Sequence, residues 1–462
     1  MVATTTTSTR LATAPDTSFG APVGADDWRI VVERLEGTGS VVGDCVVGSS
    51  PTGDAVVGTL GWVDLTYWVR GFETIRGGDE PFGRPRVGEM TLTLDNGDGR
   101  FTPWAQYSLT RPGTIIRVGL RSATDVRADG WLPVFCGVVD SWPPLFDGIR
   151  RGTAIDSTAA AWVDVLLVET ASQLARIDAN AVAVVGAGDT MATRTSRLLT
   201  AANWKFGLVS GDIVEDPGLP NLQSTDMAIN RLTELYLAAD STGKVFRSDV
   251  TGAAITHGGP YAVSAFNNTT SRLEDFSTVA SIPTLGLKPA TEDVSGTRKH
   301  VVFDGDSIVL ASDPTHILND IRYARVGGTE QVRVNTVSAG RFGRFTQSRS
   351  DLICQTNAEA LSLTQQTSLI RSRTSIRLDA VTVTATSRDE ALLMCAAADV
   401  GTCKAYVYLD ETADVYIIGV IRSVTHSVTP LAGRAHWITT FTVDAIDLVN
   451  FPDGAILDSS TA

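Results

Sequence analysis

The 462-residue sequence predicts a β-rich α+β protein in which two related antiparallel β-barrel domains flank a mixed α/β middle region. Three observations carry that expectation. Residues 26–150 and 375–451 are dense in short runs of period-two alternation, the pattern of half-buried strands. Helical periodicity and helix caps are concentrated between them. A segment late in the first strand-rich region is echoed late in the second.

Taken in order, residues 1–25 are rich in Thr, Ser, Ala and Pro, too polar to order alone, and are expected to be a flexible arm. In the first barrel domain, 26–150, strands are expected at Arg29–Arg34, Asp54–Val63, Leu65–Phe72, Met90–Leu94, Ile115–Leu120 and Leu132–Asp140, with turns at Gly77-Gly78 and Asn96-Gly97. Trp62, Trp68, Trp131 and Trp142 are expected in its core or rims. The mixed α+β domain, 151–300, opens with an apolar strand at Ala160–Val168 and a helical turn or two at Ala171–Arg176. A helix follows at Thr190–Ala202, with Asp189 or Thr190 as its cap. The clearest helix is Ser224–Asp240, where Ala228, Leu232, Leu235, Tyr236 and Ala239 form one apolar face, Ser224 caps the start and Gly243 lies beyond the end. Lys244–Val250 reads as a strand.

Residues 301–374 return to strands at Val301–Phe303, Ser307–Leu310, Ile321–Val326 and Gln331–Thr336, with Gly327-Gly328 as a hairpin turn. A connecting helix then starts on the capping box Thr356-Asn-Ala-Glu359 and runs to about Arg371. The second barrel domain, 375–451, holds strands at Arg377–Thr384, Ala405–Leu409, Val415–Thr425 and Thr439–Ile446, with a short helix capped by Ser387 and Glu390 and closed by Gly401. Residues 452–462 are a polar tail.

The echo compares Phe135-Cys-Gly-Val-Val-Asp-Ser-Trp142 with Ile417-Ile-Gly-Val-Ile-Arg-Ser-Val424. Eight residues of small apolar type also match by chance. The alternative is a chain with two related barrels. Three such chains would close a ring of six similar units, three-fold in sequence and nearly six-fold in shape.

The chain is organised around Val87–Leu120. Met90, Leu92 and Leu94 alternate with polar residues, the Asp95-Asn96-Gly97-Asp98-Gly99 turn breaks the strand, and Arg100, Phe101, Pro103 and Trp104 lead into the next segment. The run Leu94-Asp-Asn-Gly-Asp-Gly-Arg-Phe-Thr-Pro103, then Arg111-Pro-Gly113, then Phe135–Trp142, resembles the hub protein at the tail tip of tailed bacteriophages, similar to the hub of contractile baseplates. The resemblance covers the first barrel well and about two thirds of the chain loosely. It implies tail-tube-like barrels and a homotrimeric structural virion protein at the tail tip, made in the host cytoplasm. The implied partners are further copies of itself, the distal tail protein, the tape measure protein and fibre or spike proteins. DNA is implied only transiently in the lumen. Asp95 to Phe101, with Pro103 and Trp104, would fix a loop at an inter-subunit contact.

Composition narrows the alternatives. The net charge of −14 disfavours a tight nucleic-acid groove and suits either a surface past which DNA slides or simple solubility. No run approaches the ~20 apolar residues of a membrane span, so no stable membrane insertion is expected. The N-terminus lacks the apolar segment of a signal peptide. Cys45, Cys136, Cys354, Cys395 and Cys403 form no Cys-x-x-Cys pair and read as buried free thiols.

Catalytic and cofactor motifs fail on spacing, and no enzyme, cofactor or metal is expected. Aligning Gly99 to the EF-hand glycine puts Leu94 at position one and Ala105 at position twelve, which leaves only a weak calcium site on Asp95 and Asp98 with carbonyls. Val184–Met191 has a dinucleotide-loop look but Met191 stands at the third glycine. The five histidines form no close pair. Arg341-Phe-Gly-Arg-Phe345 and Arg371-Ser-Arg373 read as interface arginines ahead of phosphate binders. A cell-surface glycan-binding protein, using a tryptophan such as Trp104, is the alternative function. A glycan hydrolase needs two opposed carboxylates, and nothing nominates a pair.

Overall fold

A computed structural model describes residues 29–37, 60–78, 84–96, 101, 110–121, 131–141, 162–178, 188–202, 204, 206, 221–225, 230–257, 264–267, 272–275, 284–288, 299–302, 308–312, 316–372, 376–385, 404–408, 416–431 and 434–449. The first strands are β1 (Arg29–Gly37), β2 (Leu60–Asp64), β3 (Val69–Gly77), β4 (Arg86–Asp95), β5 (Ile115–Arg121), β6 (Trp131–Ser141) and β7 (Trp162–Glu169). They lie in the order β3-β4-β7-β6-β5-β1-β2, every pair antiparallel. β4 shows why: Met90, Leu92 and Leu94 are buried while Glu89 and Thr91 are exposed, so one face can only point inward. The expected strand Leu65–Phe72 is interrupted. Asp64 accepts from the Thr66 N–H at 2.8 Å, turning the chain into a 3-10 segment, Thr66–Trp68, before β3 starts.

The next segment carries a 3-10 segment, Thr170–Arg176, then α1 (Met191–Ala201) and α2 (Arg231–Thr242). The Thr190 hydroxyl accepts from the Thr193 N–H and caps α1. α2 starts later than Ser224 because Asn230 takes the cap, its side chain accepting from the Thr233 N–H at 2.9 Å. Gly243 ends the helix in the left-handed region, as expected. Short strands follow: β8 (Val245–Ser248), β9 (Ala254–His257), β10 (Ser264–Asn267), β11 (Arg272–Asp275), β12 (Thr284–Lys288), β13 (Lys299–Val302) and β14 (Ile308–Ser312). Of these the sequence showed only β8, β13 and β14. Leu174, Met191, Leu198, Leu235, Phe246 and Ile353 gather into a second core.

An inserted three-stranded sheet follows, in the order β16-β15-β17. It comprises β15 (Asp320–Arg325), β16 (Gln331–Val334) and β17 (Thr346–Leu352), with α3 (Thr336–Phe342) between the last two. α3 and β17 were not legible. The hairpin turn is real, with Gly327 at φ 71°. The capping box is also real: Thr356 and Glu359 exchange bonds and start α4 (Asn357–Arg371). The last strands are β18 (Ile376–Thr384), β19 (Lys404–Tyr408), β20 (Tyr416–Leu431) and β21 (Arg434–Val449). The short helix expected after Ser387 lies outside the described residues.

Where the sequence predicts two barrels, the described strands of both ends run into one 14-stranded, mostly antiparallel sheet, because β20 pairs with β3 from Ser423–Gly77 to Val428–Phe72. Their side chains share one core, in which Phe72, Leu92 and Phe135 from the first part meet Val428, Trp437 and Phe441 from the last. Trp437, fully buried, is the large aromatic of that core. Trp62 and Trp68 are half-buried, and Trp104 and Trp142 lie outside the described residues.

Gly77-Gly78, expected as a turn, is where the seam closes. Gly77 has φ 102°, and a Cβ there would lie 2.1 Å from the Arg422 carbonyl oxygen, while the Gly78 N–H donates to that same oxygen at 3.2 Å. Only glycine fits both constraints. Gly77→Ala is expected to cost about 2–4 kcal/mol, read as a lowered urea midpoint. An unchanged midpoint would show that the seam tolerates separation.

Candidate functional site

The loop motif is only partly within the described residues. Asp95 ends β4 and its carboxylate pairs with Arg70 of β3. Asn96 is buried, and its side-chain oxygen accepts from the Phe101 N–H at 2.8 Å, closing the loop like an extended Asx turn. Phe101 is fully buried and meets Trp68 edge to face, ring centres 6.0 Å apart. Gly97, Asp98, Gly99, Arg100, Pro103 and Trp104 lie outside the described residues. Three motif residues thus anchor the two ends of the loop to the first core.

The sequence did not single out the strongest polar junction. On β3, Phe72, Thr74 and Arg76 point inward while Glu73 and Ile75 point out. On β7, Val163, Val165, Leu167 and Glu169 share the inward face. These two strands flank β4, and Arg76 Nε meets Glu169 Oε1 at 2.5 Å, with both side chains almost fully buried. The pair forms because β4 carries Gly88 beneath it. A Cβ there would sit 2.7 Å from Glu169 Oε1 and 3.0 Å from Arg76 Cγ. Arg76 Nη2 also donates to the Ser248 carbonyl of β8 at 2.9 Å. The Thr170 hydroxyl donates to the Gly252 carbonyl at 2.6 Å, and the Ala171 N–H donates to the Ser248 hydroxyl at 2.8 Å. One guanidinium thus holds the sheet to the segment carrying the helices. A charged residue in the inward phase of each of two alternating strands was the available signal.

Beside it, on the seam, lies His426 of β20, opposite Thr74 of β3. Its Nδ1 accepts from the Trp437 indole N–H at 3.1 Å and lies 2.8 Å from the Thr439 hydroxyl. Burial, then the nearby Arg76 charge, pushes its pKa down to about 3. Burial and the neighbouring Asp249 push the Cys136 thiol up to about 12, and burial pushes Cys354 up to about 11, so both free thiols stay protonated near neutrality.

Among the described residues no group of three His, Cys, Asp or Glu side chains is placed to hold a metal ion. No described helix is long and apolar enough to cross a membrane, which says nothing of spanning by strands.

The echo has a structural counterpart. Gly137 lies in β6, between β5 and β7. Gly419 lies in β20, between β19 and β21. Both strands are the centre of a three-strand antiparallel meander. Each carries an extra residue against its later neighbour at the same motif position, Asp140 between Val139 and Ser141, and Arg422 between Ile421 and Ser423. The match extends outward: β3-β4-β7-β6-β5 has the same strand order and the same antiparallel senses as β14-β18-β21-β20-β19.

No family model matches the sequence, and no curated protein matches it. The structure does find counterparts. It aligns with the tail protein from Neisseria meningitidis MC58 at a TM-score of 0.51 and 12% identity, over 91% of this chain and 96% of that one. The chain has the fold of a tail protein. Two further structures align at lower scores. One is the 43 kDa tail protein of prophage MuSo2 from Shewanella oneidensis, with a TM-score of 0.46 and 13% identity over 89% and 98% of the two chains. The other is the prophage tail protein gp18 from Listeria monocytogenes EGD-e, with a TM-score of 0.45 and 10% identity over 83% and 91%.

Two outcomes follow for this tail-protein fold. Glu169→Ala leaves the Arg76 charge buried without its partner and is expected to cost about 3–5 kcal/mol. The apolar double replacement Arg76→Met with Glu169→Leu should recover part of that loss in the same denaturation measurement. For His426, the unfolded chain takes up a proton below its ordinary value of 6.5 while the folded protein resists until about 3. Its contribution is therefore complete above pH 6.5 and is lost as pH falls, by up to about 1.4 kcal/mol per pH unit. Unfolding midpoints between pH 7 and 5 should fall less steeply in His426→Asn than in the wild type.

Proposed function

We propose that this chain is a structural tail protein, the homotrimeric hub that closes the distal end of a tail tube. The observation that carries this reading is the duplicated strand unit, alike in order, direction and position of the extra residue. Each unit is taken as one tube-like barrel. Three chains then supply six similar units, and a six-fold tube meets a three-fold tip without mismatched interfaces. The fold shared with the Neisseria tail protein supports the same reading.

In this role the protein works mechanically and carries out no catalysis. One face meets the distal tail protein and holds the end of the tape measure protein. The other presents a platform for fibres or a spike. The acidic balance of −14 lets DNA pass the lumen without adhering when the plug opens. The loop from Asp95 to Trp104, tied down by Asn96 and Phe101, contacts the neighbouring copy.

Native mass spectrometry of the purified protein tests this. The expected species is three copies of the 49.0 kDa chain, and the variant with Asp95, Gly99 and Arg100 replaced by Ala should fold yet assemble poorly. A wild-type protein that stays monomeric at high concentration would count against the hub.

A further inference from the structure

The insert between β14 and β18 differs in charge from the rest of the chain. Residues 316–372 contain seven arginines and four acidic residues, a net +3, so the remainder of the chain carries −17. The acids of the insert are largely engaged within it. Burial pushes the Asp320 carboxyl up, but Arg344, Arg322 and Thr346 donate to it and hold it down at about 2. Asp351 pairs with Arg349, and Glu359 serves the α4 cap. Arg333 on β16 and Arg341 on α3 remain exposed.

Apolar side chains sit among these arginines. Val332, Val337 and Phe345 are 44%, 64% and 40% exposed. Ile321 and Tyr323 of β15 pack with Ala360 and Leu363 of α4. Val332 lies opposite Arg322, on the other side of the sheet, where α4 does not cover it. β16 is an edge strand among the described residues. The surface is also pre-set. The fully buried Asn319 accepts from the Asn335 and Phe345 N–H groups at 2.8 and 2.9 Å and donates to the Gly343 carbonyl at 2.7 Å, so α3 is held at both ends. A rigid patch loses little freedom on docking.

We propose that this β16–α3 face docks a second copy of the chain, and the proposal rests on the trimeric reading above. Arginines around exposed apolar side chains are the composition of a protein contact. The acidic remainder of a neighbouring copy supplies the opposite charge. Duplex DNA would engage the arginines but leave the three apolar side chains unused.

Full-length wild type, Val337→Asp with Phe345→Ser, and Arg333→Glu with Arg341→Glu are compared by native mass spectrometry and sedimentation at two salt concentrations. The changes are on the surface, so circular dichroism and unfolding midpoints should stay at wild-type values. The arginine pair serves as the independent variant if the apolar pair unfolds. Wild type should be trimeric, and each variant should associate about tenfold more weakly or worse. The arginine variant should also lose the salt sensitivity of wild-type assembly. Variants that trimerise like wild type overturn the docking face and leave the hub standing. A monomeric wild type overturns both. Binding of a 20-base-pair duplex that the arginine variant loses, with trimer mass unchanged, reassigns the face to DNA and overturns the proposal.

Discussion

The buried ion pair between Arg76 and Glu169 fixes how the parts of this protein meet. Two charges removed from water are tolerated only when geometry and further hydrogen bonds are both good. Here Gly88 clears the space between β3 and β7, and the Ser248 carbonyl takes a further donor of the guanidinium. The pair cannot form unless β3, β4, β7 and β8 are all in place. That makes it a checkpoint on assembly of the fold more than a source of net stability. The seam with β20 starts at the next residue of β3, Gly77, so the same few residues organise both junctions.

Much of the local structure was legible, because it is dictated within a few residues. The alternation in β4, the Thr190 cap, the capping box of α4 and the left-handed Gly243 each need only their own neighbours. What failed depended on distant contacts. Gly77-Gly78 carries turn chemistry, yet it serves a close approach to a strand some 345 residues later in the chain. Ser224 is a good cap by type but lost to Asn230. α3 and β17 are held by Asn319, whose role cannot be read from spacing. The polar junction left a trace in the sequence: Arg76 and Glu169 stand where alternation calls for apolar residues. Of the loop motif, Asp95, Asn96 and Phe101 anchor the two ends, and the other six residues lie outside the described residues.

The duplication was more visible in the structure than in the eight residues that hinted at it. Sequence identity between the echoes is a matter of small apolar letters. Strand order, strand sense and an extra residue at one shared position are independent properties, and all three agree. A bulge persists because it re-aims the strand that carries it. In β6 it falls at the end of the strand. In β20 it falls where the strand leaves β19 and begins to pair with β3.

The hairpin of β20 and β21 has 16 residues in each arm, about 50 Å of strand at ~3.3 Å per residue. It runs the length of one unit and continues as the edge against which the other is built. Such a girder resists bending within a single polypeptide, since flexing it would shear many ladder bonds together. In the trimeric hub proposed above, any widening would therefore fall to the joints between neighbouring molecules, each swinging as one stiff stave.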